Sequence, residues 1–277
     1  MFHHWTCLVI NLERSPERMA RISGELDRLH IPFERFAAVE GRDIDPDATP
    51  HFSRSQYERR HGKRPTPCEI GCHMSHMGAM RRFLDGDAEF ALILEDDAIL
   101  GDAPPGVLMG LEQHAGEWNT TLLYGNYPGL PQKLERIGRH HALVGFLARE
   151  TGAVAYAVDR KAAAAYLDML LPMSLPFDVD FDRAWDFGIK FRGVMPFPVT
   201  TGTFPSDIGR IGRKFPWYRR LPTYLARGVN ELRRYKHYAI DDPIWLEALR
   251  YRLSSQPEVL APAAPSPLRR PDALVLK

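Results

Sequence analysis

The sequence is short of several things. Its formal charge is nearly balanced, +1 from 36 Lys and Arg against 35 Asp and Glu in 277 residues. A dedicated nucleic-acid coat and a generally acidic protein are therefore excluded, and any electrostatic argument has to be local. No apolar run approaches the roughly 18 residues a bilayer crossing needs. Residues 1–12 lack a basic region followed by a long apolar stretch and a small-residue cleavage site, so the start is expected to lie inside the fold. Cysteine is sparse: Cys7, Cys68 and Cys72 form an odd set without framework spacing. That usage fits a reducing compartment and predicts a cytoplasmic protein. There is no internal repeat.

What is present is an ordinary globular composition, 44% apolar and 26% charged, enough for one large domain or two small ones. Residues 7–12 (CLVINL) read as a buried strand. Ser15 and Pro16 then give a cap and a first helical position for a helix whose apolar residues Met19, Ile22, Leu26 and Leu29 recur at steps of three and four. Pro32 closes it, and residues 33–39 read as a second strand parallel to the first. Residues 42–65 are polar and read as a surface excursion. A helix starts at Thr66 or Pro67, with Ile70, Met74, Met77, Ala79, Met80 and Phe83 broadly on one side. Residues 90–94 (FALIL) are the strongest buried strand. Further strands are expected at 122–124 and 153–158, the latter followed by Asp159 as a cap and an Ala-rich helix through Leu171. Residues 194–199, interrupted by Pro196 and Pro198, suit an edge. Alternating strands and helices imply an α/β fold, a mostly parallel sheet flanked by helices.

Composition changes after Asp207. Residues 209–237 hold nine basic side chains against one acid, Glu231, interleaved with Phe215, Trp217, Tyr218 and Tyr224. That cluster suits an anionic membrane or a phosphorylated lipopolysaccharide core, each charge near such a surface contributing about 1 kcal/mol. A solvated helical face is the plain alternative, and nucleic acid is not expected because no recognition motif accompanies the charge. Residues 254–277, with five prolines, read as a mobile tail.

Glu95, Asp96 and Asp97 follow FALIL directly. On a continuing strand Glu95 and Asp97 share one side and Asp96 faces the other. Three adjacent like charges repel unless solvent or a cation screens them, and in open α/β sheets ligands bind beyond the carboxyl ends of the strands. A solvated acidic turn would need no ligand.

The blocks VINLERSPERMARISGEL, PFERFAAVEGRDI, PCEIGCHMSHMGAMRRFL and FALILEDDAIL resemble glycosyltransferase family 25, the lipopolysaccharide and collagen galactosyltransferase family. TGAVAYAVDRKAAAAYL, PFDVDFDRAW and PSDIGR extend the likeness, in order, over roughly residues 7–210. The resemblance implies a Rossmann-like fold of GT-A type, a UDP-sugar donor, and Mn²⁺ or Mg²⁺ held by a DxD-like motif, here Glu95-Asp96-Asp97. Asp97 is then the expected metal contact, with Glu95 as second ligand, and Glu95 or Asp96 orienting the ribose or a metal-bound water. Asn11, Leu12 and Arg14 are expected to line the nucleotide pocket, with Glu40 and Gly41 opposite. His76 would touch donor or metal, or simply pack, and Ser206 sits in a loop the family uses near the donor. Tyr156 would border the sugar or belong to the core. Inverting transfer needs a base to take the acceptor's proton. Asp178 occupies the family's Pro-x-Asp-like position and is the candidate, Asp182 the next, unless these acids only cap a helix.

Cys68, Cys72, His73 and His76 raise a zinc reading. On one helix Cys68 and His76 lie about 12 Å apart along the axis, too far for one tetrahedral ion. Cys72 with His76 could bind metal only with help from elsewhere.

These readings divide the chain into a GT-A-like glycosyltransferase domain (1–208), a basic aromatic helical segment for membrane or acceptor contact (209–253) and a Pro-rich tail (254–277). The function they predict is metal-dependent, inverting transfer of a hexose, galactose from UDP-galactose, to a saccharide acceptor of lipopolysaccharide or a related lipid-linked surface glycan, at the inner face of the membrane. A metal-dependent nucleotidyltransferase would release pyrophosphate instead of UDP. A catalytically inactive UDP-sugar-binding or tethering module would bind without turnover.

Overall fold

The expected βαβ opening forms, as seen in a computed structural model that describes residues 2–126, 129–202 and 212–254. Strand β1 (Trp5–Asn11) leads through helix α1 (Pro16–Arg28) to β2 (Glu34–Ala37), which pairs with β1 in parallel. Pro16 opens α1 as read, but the Ser15 side chain makes no capping bond. Helices α2 (Arg54–His61) and α3 (Pro67–Leu84) follow, then β3 (Phe90–Glu95), β4 (Ala98–Leu100) and α4 (Pro104–Gln113). Next come β5 (Thr120–Leu122), β6 (Pro131–Ile137), β7 (His141–Phe146), β8 (Ala155–Asp159) and α5 (Arg160–Met169). Two short helices, α6 (Phe177–Asp180) and α7 (Ala184–Phe187), precede β9 (Phe191–Met195) and β10 (Val199–Thr201). Helices α8 (Leu221–Lys236) and α9 (Ile244–Ser254) end the described chain.

Eight strands form one sheet in the order β2-β1-β3-β8-β5-β9-β7-β6, and β4 pairs with β10 separately. The pairings run six strands in one direction, with β8 and β7 opposed. The sheet is thus mostly parallel in strand direction although mixed in its ladders.

Side-chain alternation builds a layer on each face. Leu8 and Ile10 of β1, Ala91 and Ile93 of β3, and Tyr156 and Val158 of β8 face α3 and α5. Cys7 and Val9, Leu92 and Leu94, Ala155 and Ala157 face α1 and α4 instead. Helix α3 starts on a capping box in which Thr66 and Glu69 satisfy each other's amides, and Asp159 caps α5 as expected.

Several expectations are corrected. The 42–65 stretch is not all surface: Phe52 and Tyr57 bury against Ile70 and Met173 in a small core of their own. The strand expected at 194–199 is β9, which starts earlier and lies inside the sheet between β5 and β7. Pro196 and Pro198 fall beyond its end and do not break its ladder. The β6–β7 hairpin had no sequence signal, because PQKLERI buries only Leu134 and Ile137 on a mostly polar strand. The tail expected at 254–277 lies outside the described residues from 255 onward.

Helices α8 and α9 are tied to this framework by buried charge. Arg192 of β9, fully buried, donates to both carboxylate oxygens of Asp242 at 2.6 and 2.7 Å. Arg234 of α8 reaches Asp182 at 3.1 Å, both nearly inaccessible. Asp242→Ala would leave the Arg192 guanidinium with Glu247 at 3.5 Å as its remaining carboxylate and the Phe191 carbonyl at 3.3 Å, and removing one partner of a buried pair typically costs about 3–5 kcal/mol. Urea unfolding should show a loss of that order; a loss under about 0.5 kcal/mol would contradict a clamping role.

Candidate functional site

The carboxyl ends of β1, β2 and β3 lie side by side, because the three strands are parallel neighbours. Their ends bring Asn11, Ala37 to Gly41 and Glu95 to Asp97 together. The three acids of the β3 end then part ways. Asp96 turns inward and is buried: Asn11 Nδ2 donates to its Oδ2 at 2.6 Å and Arg18 of α1 contacts its Oδ1 at 2.5 Å. Asn11 is held by Arg35 of β2, whose Nε donates to its Oδ1 at 2.9 Å. Arg21 donates to the main-chain carbonyls of Asp96 and Ala98 at 2.8 and 2.9 Å, which fixes the turn between β3 and β4. Asp96 is a positioning group with its negative charge already compensated.

Glu95 and Asp97 remain on the open side. Glu95 Oε1 meets His76 Nε2 at 3.1 Å, and His76 Nδ1 meets the hydroxyl of buried Tyr156 at 3.0 Å. The His76 ring stacks on Phe177, centroids 4.2 Å apart and planes 3° from parallel. Asp97 receives a 3.3 Å hydrogen bond from Thr201 of β10 on Oδ2 and has Arg18 at 3.7 Å, while its Oδ1 is buried without a hydrogen-bond partner. Burial and the neighbouring Glu95 charge push the Asp97 carboxyl up to about 6 against the pull of Arg18. An unsatisfied anionic oxygen beside a second carboxylate is the arrangement that a hard divalent cation relieves.

Cys72, one turn before His76 on α3, completes a second group: its sulfur, His76 and Glu95 offer ligand atoms all within 4.8 Å of one another. The help that a Cys72–His76 pair requires is therefore present in Glu95, and Cys68 stays outside the group.

The remaining expected residues fall as follows. Arg14 and Glu40 form an ion pair across the ends of β1 and β2, both partly exposed, and the Glu40 side chain also caps the turn at Arg42. Leu12, half-buried, follows the end of β1. Gly41 is a packing position: a Cβ there would stand 2.5 Å from Cys68 Cα, and Gly41 and Gly71 meet so closely that neither has room for one. This contact seats the loop after β2 against the start of α3. Ser206 lies outside the described residues.

The acids near α6 also separate. Asp180 is ion-paired with Arg183, and Asp182 is buried against Arg234. Asp182 is thus placed as one half of a structural pair. Asp178 makes no hydrogen bond or ion pair among the described residues, and its carboxyl is pushed up by burial, opposed by Arg149 and reinforced by Glu95. Asp178 is therefore close enough to Glu95 to feel its charge.

Arg18, Arg21 and Thr201 were missed by sequence reading. The first two stand three residues apart directly after the first strand, a weak hint that this helix turns its cations to the strand ends. Thr201 has no signal of its own.

The raised Asp97 carboxyl carries a stability consequence. Between the ordinary value of 3.8 and about 6 the folded protein holds a proton the unfolded chain has released, so stability falls as pH rises through that window and stays lower above it. The deficit is on the order of 3 kcal/mol. Without added metal, Asp97→Asn should unfold at higher urea than the parent at pH 7.5, the difference vanishing near pH 4. A variant less stable than the parent at pH 7.5 would contradict the account.

Comparisons with known proteins identify the family. The profile of glycosyltransferase family 25 (LPS biosynthesis protein) matches residues 4–127, the segment that contains β1, α3 and the β3 acids. A glycosyltransferase 25 family member of Aedes aegypti is 37% identical over 93 residues, 32% of this chain and 15% of the relative. A glycosyltransferase 25 family member of Drosophila melanogaster is 31% identical over 211 residues, 69% of this chain and 34% of the relative. A putative glycosyltransferase of Haemophilus influenzae is 24% identical over 174 residues, 63% of this chain and 60% of the relative. The chain thus spans less than two thirds of each of these relatives. By the family profile and by these relatives, the chain belongs to glycosyltransferase family 25.

Proposed function

We propose that this protein transfers a hexose, galactose from UDP-galactose, with inversion to a saccharide of lipopolysaccharide or a related lipid-linked surface glycan. The observation that carries the reading is the Asp97 carboxylate, left with a buried, unpartnered oxygen beside Glu95 at the carboxyl end of β3. Family membership supports glycosyl transfer as the chemistry.

Asp97 and Glu95 would hold Mn²⁺ or Mg²⁺, hard cations that prefer carboxylate oxygens. When bound, such an ion offsets the negative charge that builds on UDP as the glycosidic bond breaks. Asn11, Arg18 and Arg21 keep the turn rigid, so that the two ligand carboxylates are preorganised. Arg14 and Glu40 border the place where the strand ends admit a nucleotide. Asp178 accepts the proton of the acceptor hydroxyl, and its raised pKa strengthens it as a base while moving the acid limb of the rate upward from the ordinary carboxyl value.

Helix α8 supports a membrane location. Leu221, Leu225, Val229 and Leu232 recur at steps of four, four and three on its outward face, 53–73% exposed, with Trp217 also exposed ahead of them. Thr223 and Arg234 mark the buried face. An apolar stripe that faces outward among Arg219, Arg220, Arg233 and Lys236 fits a helix lying in an anionic lipid interface. No helix among the described residues is long and apolar enough to cross a membrane.

The parent enzyme with UDP-galactose and a saccharide acceptor should release UDP, stimulated by Mn²⁺. Asp97→Asn should lose about 100-fold or more in turnover, and Asp178→Asn about 100- to 10,000-fold in kcat with UDP binding retained. Full activity in Asp97→Asn would overturn the metal role. Pyrophosphate as product would favour nucleotidyl transfer, and nucleotide-sugar binding without turnover a binding module. Sedimentation with anionic vesicles should be salt-sensitive and weakened by Leu225→Asp; indifference to lipid charge would remove the membrane assignment.

A further inference from the structure

Next to α6 lies a small open cleft with a cavity volume of about 50 Å³. Its walls come from α2, α6, α7 and α8, and five of its lining residues are arginines, Arg60, Arg149, Arg183, Arg227 and Arg234, against two acids, Asp182 and Glu231. Two of the arginines are spoken for. Arg183 is ion-paired with Asp180 and Asp186, and Arg234 with Asp182 and Glu231. Arg60 bonds the Ser174 hydroxyl and has Asp180, already engaged, at 4.0 Å.

Arg149 and Arg227 have no carboxylate partner among the described residues. The Arg149 Nε is buried without a hydrogen-bond partner, and Arg227 has only a 3.5 Å contact to the His61 carbonyl. Their charges act on each other: burial and then Arg149 and Arg220 lower the Arg227 pKa, and His61 is held down to about 3 by burial and by Lys63, Arg227, Arg149 and Arg220. The cleft therefore contains several cations and a neutral imidazole. An excess of guanidinium groups converging on a concave surface is a recognition device for a phosphate or carboxylate, which they can grip bidentately.

We propose that Arg60, Arg149 and Arg227 form an anion subsite that binds a phosphomonoester carried by the acceptor. The placement suits this role. Val179 lines the cleft while Asp178, its neighbour on α6, is the candidate base, and Arg149 acts on both Asp178 and Asp182. A phosphorylated saccharide anchored here would be held against α6, the helix that carries Asp178, and the assignment of its bearer as the acceptor rests on the function proposed above. The same phosphomonoester chemistry is offered by a lipid headgroup such as phosphatidic acid, since α8 forms one wall.

Binding of inorganic phosphate to the full chain, followed by calorimetry and ³¹P line broadening at constant ionic strength, tests the site without any need for turnover. The parent should bind phosphate and gain thermal stability beyond that given by chloride. Arg149→Gln and Arg227→Gln should each weaken phosphate about tenfold or more, while keeping the parent's stability or exceeding it without phosphate. Arg136→Gln, an exposed charge on β6, should leave binding unchanged. UDP affinity should stay within about twofold in all three. Equal phosphate affinity in Arg149→Gln and the parent would overturn the proposal, and so would a parallel loss of UDP affinity, which would assign the arginines to the donor. Phosphatidic acid vesicles competing with phosphate in the parent, where neutral phosphatidylcholine vesicles do not, would identify a lipid headgroup and overturn the acceptor assignment. Failure of the transferase assay with phosphate binding intact would sink only the reaction, not the subsite.

Discussion

The uneven treatment of two adjacent carboxylates governs the site. Asp96 is buried with its charge matched by Arg18 and a hydrogen bond from Asn11, whereas Asp97 is partly desolvated beside Glu95 with one oxygen left unsatisfied. Burying an anion without compensation is expensive, and a fold retains such a group where a ligand supplies the missing charge. The Asp96 contacts and the Arg21 bonds hold the turn, so that Arg18 makes its close contact with Asp96 and reaches Asp97 only at 3.7 Å.

That arrangement is a product of topology. Parallel pairing of β2, β1 and β3 aligns their carboxyl ends, so cations from α1 can reach acids that follow β3. The close Gly41–Gly71 approach draws the loop after β2 against α3, and α3 in turn supplies His76 to Glu95. Helix α6 carries Asp178, which feels the Glu95 charge. The buried pairs Arg192–Asp242 and Arg234–Asp182 then fix the C-terminal helices to the same framework. The outward apolar stripe of α8 and the arginine-lined cleft are held in a set relation to the strand ends.

Much of this was legible in the sequence, and the limits have physical causes. The elements β1, α1, α3, β3, β8 and α5 declared themselves through buried apolar runs, helical spacing and caps, and the triplet after FALIL marked the strand end where the carboxylates gather. The β6–β7 hairpin did not, because an edge strand with a polar face carries almost no apolar periodicity. Prolines close to β9 suggested an edge where the chain in fact buries Arg192 within the sheet. Nor could the sequence tell Asp96 from Asp97, or Asp178 from Asp182. Those differences come from Arg18 and Arg234, whose approach is set by packing between segments far apart in the chain.

The most direct test is the position of a bound metal. A crystal grown with Mn²⁺ and UDP, with data collected for manganese anomalous scattering, should show the ion in contact with Asp97 and Glu95 and the diphosphate against it. A manganese peak and nucleotide both remote from the β3 end would contradict the account.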